Sequence, residues 1–235
     1  MNSISQQLQT VQARIRQAAR QADRPEAAVA LLAVSKTKPL TAIMEAYQAG
    51  QRQFGENYVQ EAVQKVQQLR QIPGFEQIEW HFIGPLQSNK TRLVAEHFAW
   101  VQSVERLKIA QRLNEQRPHH MGPLNVCLQV NISGESNKSG TTEAEVFELA
   151  AEVSRLPMLR LRGLMGIPED TEDQARLQMQ FAALARLFTQ LQADYPSMDT
   201  LSMGMTNDLE TAIACGSTLV RIGTALFGAR DYKQD

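Results

Sequence analysis

Lys36 closes an apolar run, Ala30-Leu31-Leu32-Ala33-Val34-Ser35-Lys36-Thr37, and an amine at the end of such a run is a nucleophile delivered to the rim of a sheet. Two segments far along the chain, Ser202-Met203-Gly204-Met205-Thr206 and Arg221-Ile222-Gly223-Thr224, join glycine to hydroxyls in a pattern that can hold phosphate. Gly204 and Gly223 let backbone approach closely, Ser202 and Thr224 offer hydroxyls, and the start of a following helix presents amides to an anion. An amine opposite a phosphate cradle implies a carbonyl ligand that carries a phosphate, with pyridoxal phosphate first among the candidates. Each feature alone is ordinary: a lysine at a strand end is commonly solvated, and Ser, Gly and Thr after a strand are common turn residues. Only the combination is informative.

Condensation with a carbonyl needs the neutral amine, so burial and a nearby cation such as Lys38 or Arg221 would have to bring a lysine down from its ordinary value of ~10.4. Arg221 reads either as a surface arginine or as a permanent donor aimed into the mouth at a ring nitrogen. A guanidinium cannot accept a proton and does not readily release one, so it would keep a pyridine nitrogen unprotonated and weaken the ring as an electron sink. Asn57 could reach a phenolic oxygen on the ring, or it could cap the next helix. Met165 in Gly163-Leu164-Met165-Gly166 could line the mouth or simply pack. Other polar candidates at strand ends are Glu56, Tyr58, Gln87 to Lys90, Asn131 and Lys138. His81, in Trp80-His81-Phe82-Ile83, reads as a satisfied core histidine ahead of a general base, and His97, His119 and His120 form no triad.

The elements that must position these residues follow from periodicity. Ile4, Leu8, Val11 and Ile15 fall on one face of a leading helix that Pro25 closes. Short β-branched runs then alternate with amphipathic stretches, as repeated βα units require. The strand candidates are Ala28 to Lys36, Arg52 to Glu56, Glu79 to Gly84, Trp100 to Ser103, Leu124 to Ile132, Leu159 to Ile167, Thr200 to Met203 and Leu219 to Ile222. Thr142-x-x-Glu145 and Thr171-x-x-Gln174 have capping-box form ahead of apolar stripes. Eight such units predict an α/β fold, a single (β/α)8 TIM barrel preceded by an N-terminal helix and spanning residues 1–235 as one domain. An open doubly wound sheet is the alternative, but no Gly-x-Gly-x-x-Gly follows the first strand. In a closed barrel, strand eight neighbours strand one, which brings Arg221 beside Lys36 at the face where phosphate is held after strands seven and eight.

The bulk properties exclude several classes. With 24 basic and 25 acidic residues intermixed, the chain lacks the electrostatic footprint of a nucleic-acid or anionic-membrane binder. Cys127 and Cys215 are far apart and no His or Cys spacing suits zinc, so no metal is expected. The N-terminus has no apolar leader core and no stretch reaches a membrane span of ~18 apolar residues, so the expected location is the cytoplasm.

Taken together, Ala33-Val34-Ser35-Lys36-Thr37, Phe54-Gly55-Glu56-Asn57-Tyr58-x-Gln60-Glu61, His81-Phe82-Ile83-Gly84-x-Leu86-Gln87-x-Asn89-Lys90, Val130-Asn131-Ile132 with Lys138 and Gly140, Gly163-Leu164-Met165, Ser202-Met203-Gly204-Met205 and Val220-Arg221-Ile222-Gly223-Thr224 through Phe227-Gly228 closely resemble the pyridoxal-phosphate homeostasis protein family. These are stand-alone barrels similar to the N-terminal domain of alanine racemase, and the resemblance runs nearly end to end. It implies pyridoxal 5'-phosphate as cofactor, Lys36 as the internal aldimine, Ser202, Gly204, Gly223 and Thr224 around the phosphate, Arg221 at the pyridine nitrogen and Asn57 beside the ring. Thr206 stands where the family often has serine, which preserves the hydroxyl. The implied role is control of free cofactor and of amino- and keto-acid balance without a catalytic reaction, by a monomer in transient contact with apo-enzymes or regulators. A weak racemase or lyase acting on small amino acids is the alternative. Against it, alanine racemases add a second β domain and a second acid/base, usually a partner's tyrosine, whereas this sequence stops a few residues after strand eight.

Overall fold

The computed structural model describes residues 3–135 and 138–229. The leading helix α1 (Ile4–Gln21) buries Leu8, Val11 and Ile15 as its spacing predicts, and its first turn is closed by a reciprocal Ser3–Gln6 capping box. Asp23, in the left-handed region at φ 53°, turns the chain before Pro25 and delivers it to the barrel.

All eight predicted strands form, most of them shorter than the apolar runs that announce them. They are β1 (Ala30–Val34), β2 (Gln53–Glu56), β3 (Glu79–Phe82), β4 (Trp100–Val104), β5 (Leu124–Val130), β6 (Leu159–Gly166), β7 (Thr200–Ser202) and β8 (Leu219–Ile222). Between them lie α2 (Leu40–Gln48), α3 (Val59–Arg70), α4 (Thr91–His97), α5 (Leu107–Gln116), α6 (Val146–Ser154), α7 (Gln174–Asp194) and α8 (Leu209–Ala214), with the short α9 (Thr224–Phe227) after β8. The capping box at Thr142 is present, Glu145 N donating to Thr142 Oγ1 and Thr142 N to the Glu145 carboxylate, one residue ahead of α6. At α7 the cap differs from expectation. Asp173 accepts from Ala175 N and Arg176 N, because a carboxylate beside the first turn also meets the helix dipole, and Thr171 only supports Asp173 N.

The strands pair in parallel and in sequence order into a closed barrel, which excludes the open-sheet alternative. Closure is made by β1 on β8, with Ala30 against Leu219 and Leu32 against Arg221. Helix α1 packs over this seam: Arg14 donates to Glu210 and to Thr206 O, and Arg24 to Ile213 O and Ser217 O. The main core lies between strands and helices, where β-strand residues such as Phe54, Phe82 and Val126 meet helical ones such as Ile43, Val66 and Leu113. Inside the barrel a small apolar layer of Trp100, Cys127 and Met165 is surrounded by polar side chains. Gly163 is demanded by wall geometry, since a Cβ there would lie 1.6 Å from Thr200 O on β7. Among the described residues no helix is long and apolar enough to cross a membrane, and no cluster of His, Cys, Asp and Glu could hold a metal ion.

Candidate functional site at the C-terminal mouth

Lys36 stands half-buried two residues past the end of β1. Its position is set by a polar cluster behind the strand end. Ser35 N bonds to Gly55 O at 2.9 Å and Ser35 Oγ donates to Glu56 Oε1 at 2.7 Å. Lys65, on α3, donates to Ser35 O at 2.8 Å and pairs with Glu56 at 2.9 Å and Glu61 at 2.6 Å. Glu61 in turn accepts from Thr37 N at 2.7 Å. Thr37 has φ 62°, a left-handed conformation that a β-branched residue adopts only when its surroundings over-determine it. Residues 35 and 37 are thus both clamped, and the lysine between them is presented by a rigid turn. Burial pushes the Glu56 carboxyl above its ordinary range, while Lys65 and Ser35 pull it back.

Sequence reasoning did not assign Lys65 a role. Glu61 and Lys65 at i, i+4 on a glutamine-rich helix resemble a solvated pair, yet Lys65 lies on the buried stripe with Ala62, Val66 and Leu69.

On β2, Val34 pairs with Gly55, and the register carried two residues on sets Asn57 abreast of Lys36. The capping reading of Asn57 does not hold, because α3 is capped at Tyr58 with no side-chain bond. Asn57 Oδ1 is instead buried without a hydrogen-bond partner among the described residues. Gly84 allows this, since a Cβ at 84 would lie 2.2 Å from Asn57 O.

On the other side of β1, Arg221 is 5% exposed. Its Nη1 donates to Ser202 O at 2.7 Å and Ser202 Oγ at 2.8 Å, and its Nη2 to Gly166 O at 3.0 Å. Among the described residues no carboxylate lies within ion-pair distance of Arg221. Burial pushes the guanidinium down to about 10, opposed by Asp208, so it still carries its charge at neutral pH. Gly204 has φ 97°, and a Cβ there would meet Ala212 Cβ at 2.6 Å, so the backbone after β7 stays bare. Gly223 opens α9, and a Cβ there would lie 3.3 Å from Val34 O. Thr224 is exposed at the first position of α9.

Two sequence-assigned residues face inward. Ser202 is fully buried, and its one proton goes to Gln102 Oε1 at 2.6 Å. Met165 is 1% exposed and packs with Trp100 and Cys127, beneath the rim. The remaining polar candidates organise loops. Asn131 holds the turn at Ser133, Gly134 and Glu135, Lys138 pairs with Glu135 and donates to Pro168 O at 3.2 Å, and Lys38 donates to Ala229 O at 2.7 Å. Burial pushes the Cys127 thiol up to about 12, which leaves it inert.

Comparison with known proteins gives the family. The alanine racemase N-terminal domain family model matches residues 6–231. A pyridoxal phosphate homeostasis protein of Vibrio alginolyticus is 59% identical over 99% of this chain and 100% of its own length. Another from Escherichia coli is 56% identical with both chains fully covered. The PipY protein of Synechococcus elongatus, solved with PLP bound, superposes with a TM-score of 0.81 at 36% identity, covering 96% of this chain and 100% of that one. Alanine racemase of Corynebacterium glutamicum shares the fold, with a TM-score of 0.70 at 16% identity over 99% of this chain and 62% of its own. With Lys36, Asn57 and Arg221 brought to one rim and relatives matched end to end, the chain belongs to the pyridoxal phosphate homeostasis proteins of the alanine racemase N-terminal domain family.

Proposed function

We propose that this protein binds pyridoxal 5'-phosphate covalently through Lys36 at the C-terminal mouth of the barrel and stores, buffers or delivers it as a non-catalytic, single-domain monomer. The observation that carries the reading is Arg221: a buried cation with no carboxylate in ion-pair reach among the described residues, one strand away from Lys36. Such a charge is costly to bury unless a guest's acceptors complete its surroundings. The residues fit the cofactor. Lys36 supplies an amine that condenses with its aldehyde, releasing one water. Asn57 supplies a buried amide whose Oδ1 lacks a partner among the described residues. Gly204, Gly223 and Thr224 supply bare backbone and a hydroxyl for the phosphate, and Ser202, its proton committed to Gln102, acts there by holding Arg221. Met165 forms the floor.

When bound, the cofactor supplies an electron-withdrawing ring next to its carbonyl carbon. Arg221 moderates that property, because a guanidinium donates to the ring nitrogen without giving its proton away. The related PipY protein solved with PLP bound, together with the homeostasis proteins of Vibrio and Escherichia, supports the assignment. Transient contact with apo-enzymes is the delivery step that this role requires, in the cytoplasm where such acceptors reside.

The test is mass spectrometry after borohydride reduction of protein incubated with pyridoxal phosphate. The expected result is one pyridoxyl group on the peptide containing Lys36, absent in Lys36→Ala and retained in Lys138→Ala. Label on another lysine in the wild type, or persisting in Lys36→Ala, would overturn the attachment. Exchange of substrate α-protons into deuterated solvent across a panel of amino acids is expected to be absent; Lys36-dependent exchange would replace the carrier reading with an enzyme.

A further inference from the structure

The barrel interior holds a polar line that cofactor attachment alone does not call for. It begins at Arg221 on β8, whose Nη1 donates to Ser202 Oγ at 2.8 Å. Ser202, on β7, donates to Gln102 Oε1 on β4 at 2.6 Å. Gln102 Nε2 lies 2.9 Å from His81 Nδ1 on β3, and His81 Nε2 lies 2.9 Å from Glu79 Oε1, near the opposite end of the barrel. Gln53 Nε2 also donates to Glu79 Oε1, at 2.9 Å. Arg221, Ser202, Gln102 and His81 are all buried, so no water need complete their bonding.

The direction of every bond in this line follows from its first member. A guanidinium only donates, so Ser202 Oγ accepts from it and sends its single proton to Gln102. Gln102 must then offer its carbonyl to Ser202 and its amide N–H to the histidine. His81 Nδ1 must accept, which leaves the ring proton on Nε2, where the Glu79 carboxylate accepts it. Turning the Gln102 amide over would strand the buried Ser202 proton, and it would leave a lone pair of His81 against Glu79 unless the ring took up a second proton.

We propose that Gln102 and His81 are positioning residues for Arg221, held in one polarity by it, with His81 kept as the neutral Nε2–H tautomer. The positioning role rests on the cofactor reading above. Of the five guanidinium N–H groups, Nη1 uses both on Ser202 and Nη2 uses one on Gly166 O, so Nε–H and one Nη2–H remain for a ring acceptor. Locking Nη1 downward is what aims those two at the guest.

The charged and titratable groups around His81 agree. Glu79 on its own strand favours the imidazolium, whereas Arg162 on β6, paired with Asp199, opposes it. Arg221 stands at the far end of the line, Cys127 on β5 is a neutral thiol, and Trp100 on β4 stacks on the ring at 5.0 Å. Burial is the dominant influence and holds His81 below its ordinary range.

Long-range 15N–1H NMR of the protein without pyridoxal phosphate tests the polarity, the His81 resonances being identified by their loss in His81→Gln. The expected wild-type ring has Nδ1 unprotonated and Nε2 protonated, and stays so as pH falls through the ordinary histidine value of ~6.5. Ser202→Ala, which frees the amide to turn, and Gln102→Glu, which offers Nδ1 a carboxylate, are each expected to give a doubly protonated ring near neutrality. A wild-type ring protonated at Nδ1, or variants whose ring matches the wild type, would overturn the proposal. Gln102→Met is expected to raise the pyridoxal phosphate concentration for half-loading about tenfold, equivalent to ~1.4 kcal/mol. Unchanged half-loading in a folded Gln102→Met protein would remove the positioning role. The tautomer is read without cofactor, so it stands or falls apart from the Lys36 attachment, which borohydride labelling decides.

Discussion

At the N-terminal mouth of the barrel the charged groups complete one another, although Trp100 Nε1 is buried without a partner among the described residues: Arg162 is bidentate to Asp199, donates to Asn125 Oδ1 at 2.9 Å and lies 4.6 Å above the Trp100 ring, while Glu79 takes His81 and Gln53. At the C-terminal mouth the bonding is left open toward the centre. Asn57 Oδ1 has no partner among the described residues, Arg221 has donors to spare, and the exposed apolar side chains Tyr58, Ile167 and Met205 stand in the loops around them. Both ends are built from the same parallel strands, so chain direction alone does not distinguish them. What distinguishes them is where the compensating partner comes from: the fold itself at one end and, on the proposed function, a guest at the other. Behind the open end a buried scaffold, Lys65 with Glu56 and Glu61, clamps the turn that carries Lys36.

That contrast can be broken or sharpened, beginning with the scaffold. Lys65→Met leaves the Glu56 carboxyl buried without its cation, and the expected loss is ~3 kcal/mol in urea unfolding, accompanied by weaker loading at Lys36. A loss below ~1 kcal/mol would show that the scaffold is not what holds the open mouth. Next in size, Gly84→Ala forces the Asn57 backbone aside, since the new Cβ would meet Asn57 O at 2.2 Å. Half-loading is expected to shift about tenfold, or ~1.4 kcal/mol, and an unchanged titration would remove Asn57 from the site.

The closed mouth should show itself through pH. His81 resists charging in the folded state, whereas the unfolded chain titrates near the ordinary ~6.5. Only the unfolded chain then takes up the proton, so stability is complete above ~6.5 and falls as pH drops below it. Glu79, held low by its bond to His81, acts in the same direction at more acid pH, and Glu56, raised by burial, acts in the opposite one. Thermal unfolding of the cofactor-free protein at about pH 7.5 and about pH 5.5 should differ in the wild type and converge in His81→Gln; equal slopes would mean that His81 titrates freely. The smallest effect belongs to the rim of the closed end. Asp199 has a side chain 56% exposed, so Asp199→Asn is expected to cost under ~1 kcal/mol, and a larger loss in the same urea assay would mark this pair as structural.

The barrel was legible because each strand announces itself locally, as in Leu31-Leu32-Ala33-Val34, and because helix stripes such as Leu177, Phe181, Leu184, Phe188 and Leu191 keep their period. The rim residues were legible because chemistry at a strand end is conspicuous, as with Lys36 and Arg221. The inward network was not. Gln102 and Ser202 are 100 residues apart and meet only through closure, although strand alternation from Trp100 already set Gln102 on the same face as that ring. Lys65 escaped notice because a charge on a stripe reads as solvated until a buried carboxylate is seen opposite it. The box pattern points to Thr171 over Asp173 because it matches letters, while the helix selects whichever side-chain oxygen reaches its first amides.

The seam between β1 and β8 has a consequence for biosynthesis. Ala30 waits for Leu219, 189 positions later, before its strand is paired on both sides. At ribosomal elongation rates that interval is roughly 10–40 s, during which the lysine-bearing edge protrudes unpaired and the guanidinium that would face it does not yet exist. On the proposed reading, cofactor capture then waits for the last strand, and a nascent chain stalled before it offers a chaperone an open edge and offers pyridoxal phosphate no complete seat.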